Sequence, residues 1–164
     1  PWDIHHGPIN SIVPIFELPS HHGPDVRTVL PHLEVFTTSL SVPTTIMHMH
    51  SVTVDLKEEI KAHEAVDLFN STTRVRIVSN LDGIRSTAEI IEYAKDMGRN
   101  RGDMPEICIW EETVGVFGNK LFYLQAVHQE SNVIPENIDA IRAMTKLCGK
   151  EESISKTNES LGII

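Results

Sequence analysis

The chain has 164 residues, 40% of them hydrophobic and 23% charged, a composition that supports one globular domain with its own core. Its formal charge of −9 repels phosphate backbones and sets nucleic acid aside as a partner. No apolar run reaches the roughly 18 residues that mark a membrane helix, and no secretory leader is visible, so the expected setting is cytoplasmic.

The first 31 residues are rich in Pro and Gly and read as irregular, apart from a short apolar stretch at 11–16. Gly23-Pro24-Asp25 opens a helix to about Leu30, since proline suits a first helical turn. Residues 35–42 and 44–56 read as strands from their β-branched content. In the second, His48, His50, Val52 and Val54 share one face and Met47, Met49, Ser51 and Thr53 the other. A helix follows over 61–69 and a buried-type strand over 75–78. Ser86 caps a helix with Glu89 as its capping-box partner, and Ile90, Ile91 and Ala94 form its apolar stripe. Strands at 105–111 and 114–117 lead into a Gly118-Asn119 hairpin and a returning strand at 120–127. Two helices, over 135–147 and 151–160, close the sequence. This order predicts an α+β fold with a mostly antiparallel mixed sheet and helices on one face. No G-x-G-x-x-G or P-loop follows a strand, so a nucleotide-binding Rossmann unit is not expected here.

Nine histidines supply most of the chemical signal, with pairs at His5-His6, His21-His22 and His48/His50. His21 and His22 precede a helix start, where free N–H groups and the dipole favour an anion. The competing reading is a helix cap at Ser20 with two exposed loop histidines. His48 and His50 project from one strand face and fit a general base, a metal pair, or a hydrogen-bonded interior histidine. No H-E-x-x-H or C-x-x-C pattern supplies further ligands, and a metal is the least favoured of the three. Gln129, in the polar run 128–131 after a strand, either marks a site rim or belongs to a polar loop. Cys108 reads as a packing residue and Cys148 as a helix-end thiol, both reduced and neither a nucleophile.

Taken in order, HGPINSIVP (6–14), PSHHGPDV (19–26), PTTIMHMH (43–50), STAEIIEYA (86–94), AVHQES (126–131), PENIDAIRA (135–143) and KTNESLGI (156–163) resemble the archaeal, type II glyceraldehyde-3-phosphate dehydrogenases. The likeness runs along the whole sequence and matches the C-terminal catalytic-domain portion, residues 1–164 here. The helices of 132–164 would then pack on a nucleotide-binding domain. The resemblance implies an enzyme of glycolysis and gluconeogenesis that oxidises glyceraldehyde 3-phosphate to 1,3-bisphosphoglycerate. The reaction takes NAD or NADP and inorganic phosphate, and the enzyme is a homotetramer. It implies His48 as the base, with His50 the alternate, His21 and His22 as substrate contacts, and Gln129 at the cofactor. The family's nucleophile lies in a Ser-Cys-Asn-Thr-Thr-Gly motif, which this sequence lacks, as it lacks an initiating methionine before Pro1. A thiolate would attack the aldehyde, so the isolated chain is expected to be inactive. A non-catalytic oligomerisation or binding domain, and a His-x-His metalloprotein, are the alternatives. Without a partner domain, Leu161, Ile163 and Ile164 are expected to be exposed.

Overall fold

The computed structural model describes residues 2–3, 7–8, 11–44 and 46–163, with side chains from residue 11 onward. The chain divides into two compact units, Pro1–Thr45 and Ile46–Ile164. His5, His6, Thr45 and Ile164 lie outside the described residues.

The first unit holds two-residue antiparallel pairs: β1 (Trp2–Asp3) with β2 (Gly7–Pro8), and β3 (Val13–Pro14) with β4 (Leu40–Ser41). Between them lies α1 (His22–Val29), with Pro24 in its first turn as expected. The strand expected over 35–42 shrinks to Leu40–Ser41. The backbone before it is bonded to the preceding loop: Thr37 O accepts Ser20 N–H at 2.8 Å and Ser39 O accepts Ile15 N–H at 3.0 Å. β-propensity cannot form a ladder where the carbonyls already have loop partners.

The second unit is built on one five-stranded sheet. Its strands are β5 (His48–Asp55), β6 (Val75–Val78), β7 (Ile107–Trp110), β8 (Gly115–Phe117) and β9 (Lys120–Val127). The path is β5-β9-β7-β6, and β8 also pairs with β9. Every pairing is antiparallel except β6 with β7. The α+β, mostly antiparallel architecture is the one the element order called for.

Alternation explains the packing. Val78, Cys108, Trp110, Leu124 and Ala126 share one sheet face by register. Against them α3 (Thr87–Asp96) buries Ile90, Ile91 and Ala94, which are 0%, 7% and 0% exposed. Each isoleucine contributes roughly 1.5–3 kcal/mol by leaving water. Ser86 Oγ caps Glu89 N–H, while Glu89 reaches back to Arg85 N–H at 2.6 Å, one residue beyond the usual capping-box target. On the other face Tyr123 meets Phe69 of α2 (Ala62–Ser71), with ring centroids 5.0 Å apart. The helices therefore divide between the two faces, α3 on one and α2 on the other.

Two helices finish the unit: α4 (Gln129–Thr145) and α5 (Lys150–Leu161). Pro135 does not start α4 but lies inside it. The first turn forms earlier, with His128 O accepting Ser131 N–H at 3.0 Å and Asn132 N–H at 2.9 Å. Pro135 removes one interior bond, the one Ser131 O would have accepted. Arg74 ties both helices to β6. It donates to Glu136 at 2.6 Å and Asp139 at 2.5 Å on α4, and to Asn158 at 3.0 Å on α5. Ile163, expected to be exposed, is buried at 7%, and Leu161 is half-buried. Gly162 turns left-handed at φ 63°, so that Ile163 N–H returns to Asn158 O at 2.9 Å and Arg99 holds Gly162 O at 2.9 Å. The most exposed apolar residues of this region lie on and just after α4: Ile141 at 59%, Met144 at 83% and Leu147 at 72%.

Candidate functional site

In the first unit, His21 takes the N-cap position of α1 and His22 its first helical position. Both are exposed, and their rings lie with centroids 3.9 Å apart and planes tilted by 33°. Ser20 is not the capping side chain. It is 2% exposed, and its hydroxyl donates to Thr37 Oγ1 at 2.9 Å. Thr37 Oγ1 in turn accepts Gly23 N–H at 2.9 Å. Asp25 N–H is held by His21 O at 3.1 Å, and Pro24 has no N–H at all. Few main-chain donors therefore remain for an anion at this helix end, and the imidazoles are left as the main candidate contacts.

In the second unit, the turn into β5 is forced. Met47, a non-glycine residue, sits at φ 67°, a left-handed conformation that costs roughly 1–2 kcal/mol. Burial of its side chain at 5% within the α3 core cluster offsets that cost. The consequence is that His48 begins the strand exposed, on the opposite sheet face from Met49. His50 lies directly opposite Gln125 in register, with Gln125 Nε2 3.0 Å from His50 Nδ1. The two candidate bases thus differ: His50 is held by a cross-strand amide, and His48 projects at the strand end.

Register then brings the other candidate to the same end of the sheet. His48 is paired with Val127, the last residue of β9, and Gln129 follows two residues later as the first residue of α4. Gln129 is exposed. Beneath it, His128 is 7% exposed and Ser131 is 2% exposed. Met104 N–H is shared between His128 Nδ1 at 3.2 Å and Ser131 Oγ at 3.1 Å. The junction from β9 into α4 is therefore fixed by buried bonds. The polar run that suggested a loop is a helix N-terminus.

Sequence reasoning missed Thr37, Gln125 and Met104, which hold the candidate residues in place. Their bonds span 14 to 75 residues in sequence and leave no local pattern.

Neither cysteine stands with these groups. Cys108 is fully buried, and burial, with the charge of Glu106 added, pushes its thiol up to about 12. Cys148 is half-buried after α4. Among the described residues, no three His, Cys, Asp or Glu side chains converge as a metal site would require.

Residues 5–127 match the family model for the glyceraldehyde 3-phosphate dehydrogenase C-terminal domain. Over its full length the chain is similar to curated proteins named glyceraldehyde-3-phosphate dehydrogenase. It is 54% identical to one from Thermococcus onnurineus and 55% identical to one from Pyrococcus abyssi, each across 164 residues. Identity to the protein of that name from Methanobrevibacter smithii is 51% across 166 residues. All of this chain is covered in each comparison, but 49% of each relative, so the chain spans about half the length of the curated relatives it matches. The match covers the turn into β5, the sheet and the His21-His22 helix start, and the chain belongs to the glyceraldehyde 3-phosphate dehydrogenase C-terminal domain family.

Proposed function

We propose that this chain is the catalytic-domain portion of a phosphorylating glyceraldehyde-3-phosphate dehydrogenase. The substrates are glyceraldehyde 3-phosphate and inorganic phosphate, and the setting is the cytoplasm, in glycolysis or gluconeogenesis. The observation that carries the reading is the register of β5 on β9, which sets His48 and Gln129 at one end of the sheet. His48 is the base. Its exposed imidazole takes the proton of a nucleophilic thiol contributed from outside this sequence, gives it to the oxyanion formed as the thiolate adds to the aldehyde, and takes that hydroxyl proton back when the adduct is oxidised. His50, held by Gln125, orients the strand face and is the alternate. His21 and His22 donate to the substrate phosphate.

NAD or NADP, when bound, supplies the hydride acceptor. Gln129 fits the edge of such a group, because an exposed primary amide can pair with a nicotinamide carboxamide in both directions. The residues of 132–164 would pack against a nucleotide-binding domain. Ile141, Met144 and Leu147 supply an exposed apolar stripe for that contact. The working assembly is a homo-oligomer, a tetramer by family likeness, and this chain alone is inactive.

The test has two arms. In the whole dehydrogenase carrying this sequence, His48→Asn lowers kcat by roughly 100-fold or more with little change in KM. His50→Asn lowers it by less than about tenfold. The reverse ranking would transfer the base to His50, and no loss in either variant would remove the base from this strand. Phosphate-dependent reduction of NAD+ or NADP+ by the 164-residue chain alone stays at background; sustained turnover would refute the inactivity.

A further inference from the structure

We infer that Thr37 is a positioning residue for substrate recognition, setting the direction of the His21–His22 pair; the inference rests on those histidines being the phosphate contacts. Thr37 has no sequence signature for this role and lies 14 to 17 residues from the segment it holds. Its hydroxyl sits at the centre of three bonds. It donates to Ser20 O at 2.9 Å, accepts Ser20 Oγ–H at 2.9 Å and accepts Gly23 N–H at 2.9 Å. Its carbonyl takes Ser20 N–H at 2.8 Å.

The segment Ser20–Gly23 is therefore clamped at both ends by one residue, with the two histidines between the clamped points. Ser20 is 2% exposed, so the clamp is shielded from water while both imidazoles face it. No side-chain hydrogen bond of His21 or His22 is found among the described residues, so the direction of the rings is inherited from the clamped backbone. Gly23 shows how close the clamp is. A Cβ there would lie 3.0 Å from Thr37 Oγ1 and 3.2 Å from Val35 O, closer than ordinary contact. The clamp also decides what the site offers. Because Thr37 takes Gly23 N–H, an anion must be read by the ring N–H groups, whose aim matters more than that of a main-chain donor fixed in a helix.

Binding of glyceraldehyde 3-phosphate to the 164-residue chain, measured by calorimetry or NMR titration, tests the role. Thr37→Val keeps the side-chain shape and removes all three hydroxyl bonds. It is expected to weaken binding at least fivefold and to abolish the ring-to-ring NMR cross-peak between His21 and His22, with the amide signals of β5–β9 unmoved. Thr37→Ser keeps the hydroxyl and is expected to restore binding to within twofold. If Thr37→Val fails to fold, Gly23→Ala displaces the same hydroxyl from the other side and is expected to lose affinity in the same way.

Affinity and cross-peak preserved in Thr37→Val, or in Gly23→Ala should it stand in, would overturn the inference, and so would a Thr37→Ser variant as weak as the valine. The double variant His21→Ala/His22→Ala separates the two ideas. If it binds as tightly as the original chain, the histidines are not the substrate contacts and the underlying assignment falls. If it loses affinity while Thr37→Val does not, the positioning role alone falls.

Discussion

Asp139 offers a quantitative test of how the terminal helices are held. It lies on α4, and one carboxylate oxygen accepts Ser153 Oγ–H at 2.6 Å and Thr157 Oγ1–H at 2.7 Å from α5. The other accepts Arg74, the residue just before β6, at 2.5 Å. Burial opposes its ionisation, but the bonds from Ser153, Thr157 and Arg74 prevail and hold the carboxyl down to about 2, against an ordinary 3.8. At about 1.4 kcal/mol per pH unit, that depression corresponds to roughly 2.5 kcal/mol. The side chain keeps 16% exposure, and solvent screening brings the expected contribution to about 1.5–2 kcal/mol. A lowered carboxyl pKa stabilises the fold above the unfolded value, near pH 4, and the contribution disappears as pH falls from about 4 toward 2. Asp139→Asn is therefore expected to cost about 1.5–2 kcal/mol at pH 7, and the gap from the original chain should narrow steadily below pH 4. Urea titrations followed by circular dichroism at pH 7, 5, 4 and 3 measure it. A gap that does not change with pH, or that stays under about 0.5 kcal/mol throughout, would refute the clamp as the source of stability.

Three further outcomes follow from the core. Gly102→Ala is expected to lower stability by about 2–3 kcal/mol in thermal unfolding. Gly102 sits at φ 72°, and a Cβ there would lie 2.6 Å from the Ile91 side chain, so a near-neutral result would show that α3 can shift. Glu106→Gln is expected to cost about 3 kcal/mol in denaturant unfolding. Glu106 is fully buried between Arg99, at 2.6 Å from both its oxygens, and Arg76 at 3.1 Å, and its loss leaves those cations uncompensated. Cys108, with burial holding its thiol near 12, is expected to resist a thiol-alkylating reagent at pH 8 in the folded chain and to react once denaturant is added; prompt labelling of the native chain at Cys108 would contradict that burial.

Where sequence patterns are local, they translated directly into structure. Strand β6, the Gly118-Asn119 hairpin and the apolar stripe of α3 lie where their patterns put them, because each depends on neighbours within a few residues. The departures have one physical origin. Residues 35–39 have strand chemistry but loop partners, and Pro135 has the chemistry of a helix start but a place inside α4. In both, a tertiary demand prevailed over local preference: the loop that Thr37 clamps, and the buried β9–α4 junction fixed by His128 and Ser131. The family likeness predicts an exposed Ile163 in the absence of a partner domain, yet the turn at Gly162 and the reach of Arg99 bring it in.

The candidate site was legible as residue types, and only partly as a place. Alternation puts His48 and His50 on one strand face, but it cannot say which is constrained; that depends on Gln125, 75 residues away. Likewise, nothing local connects His48 to Gln129. Their meeting at one sheet end follows from a register that pairs His48 with Val127, and a slip of one residue would turn every β5 side chain to the other face. That register is defended by Met47, whose strained backbone is tolerated because its side chain enters the core, so the same contact that stabilises the fold also fixes which face His48 presents. Core packing and the orientation of the candidate base are thus coupled through a single residue. Substitutions at Met47 should for that reason disturb His48 before they disturb the sheet.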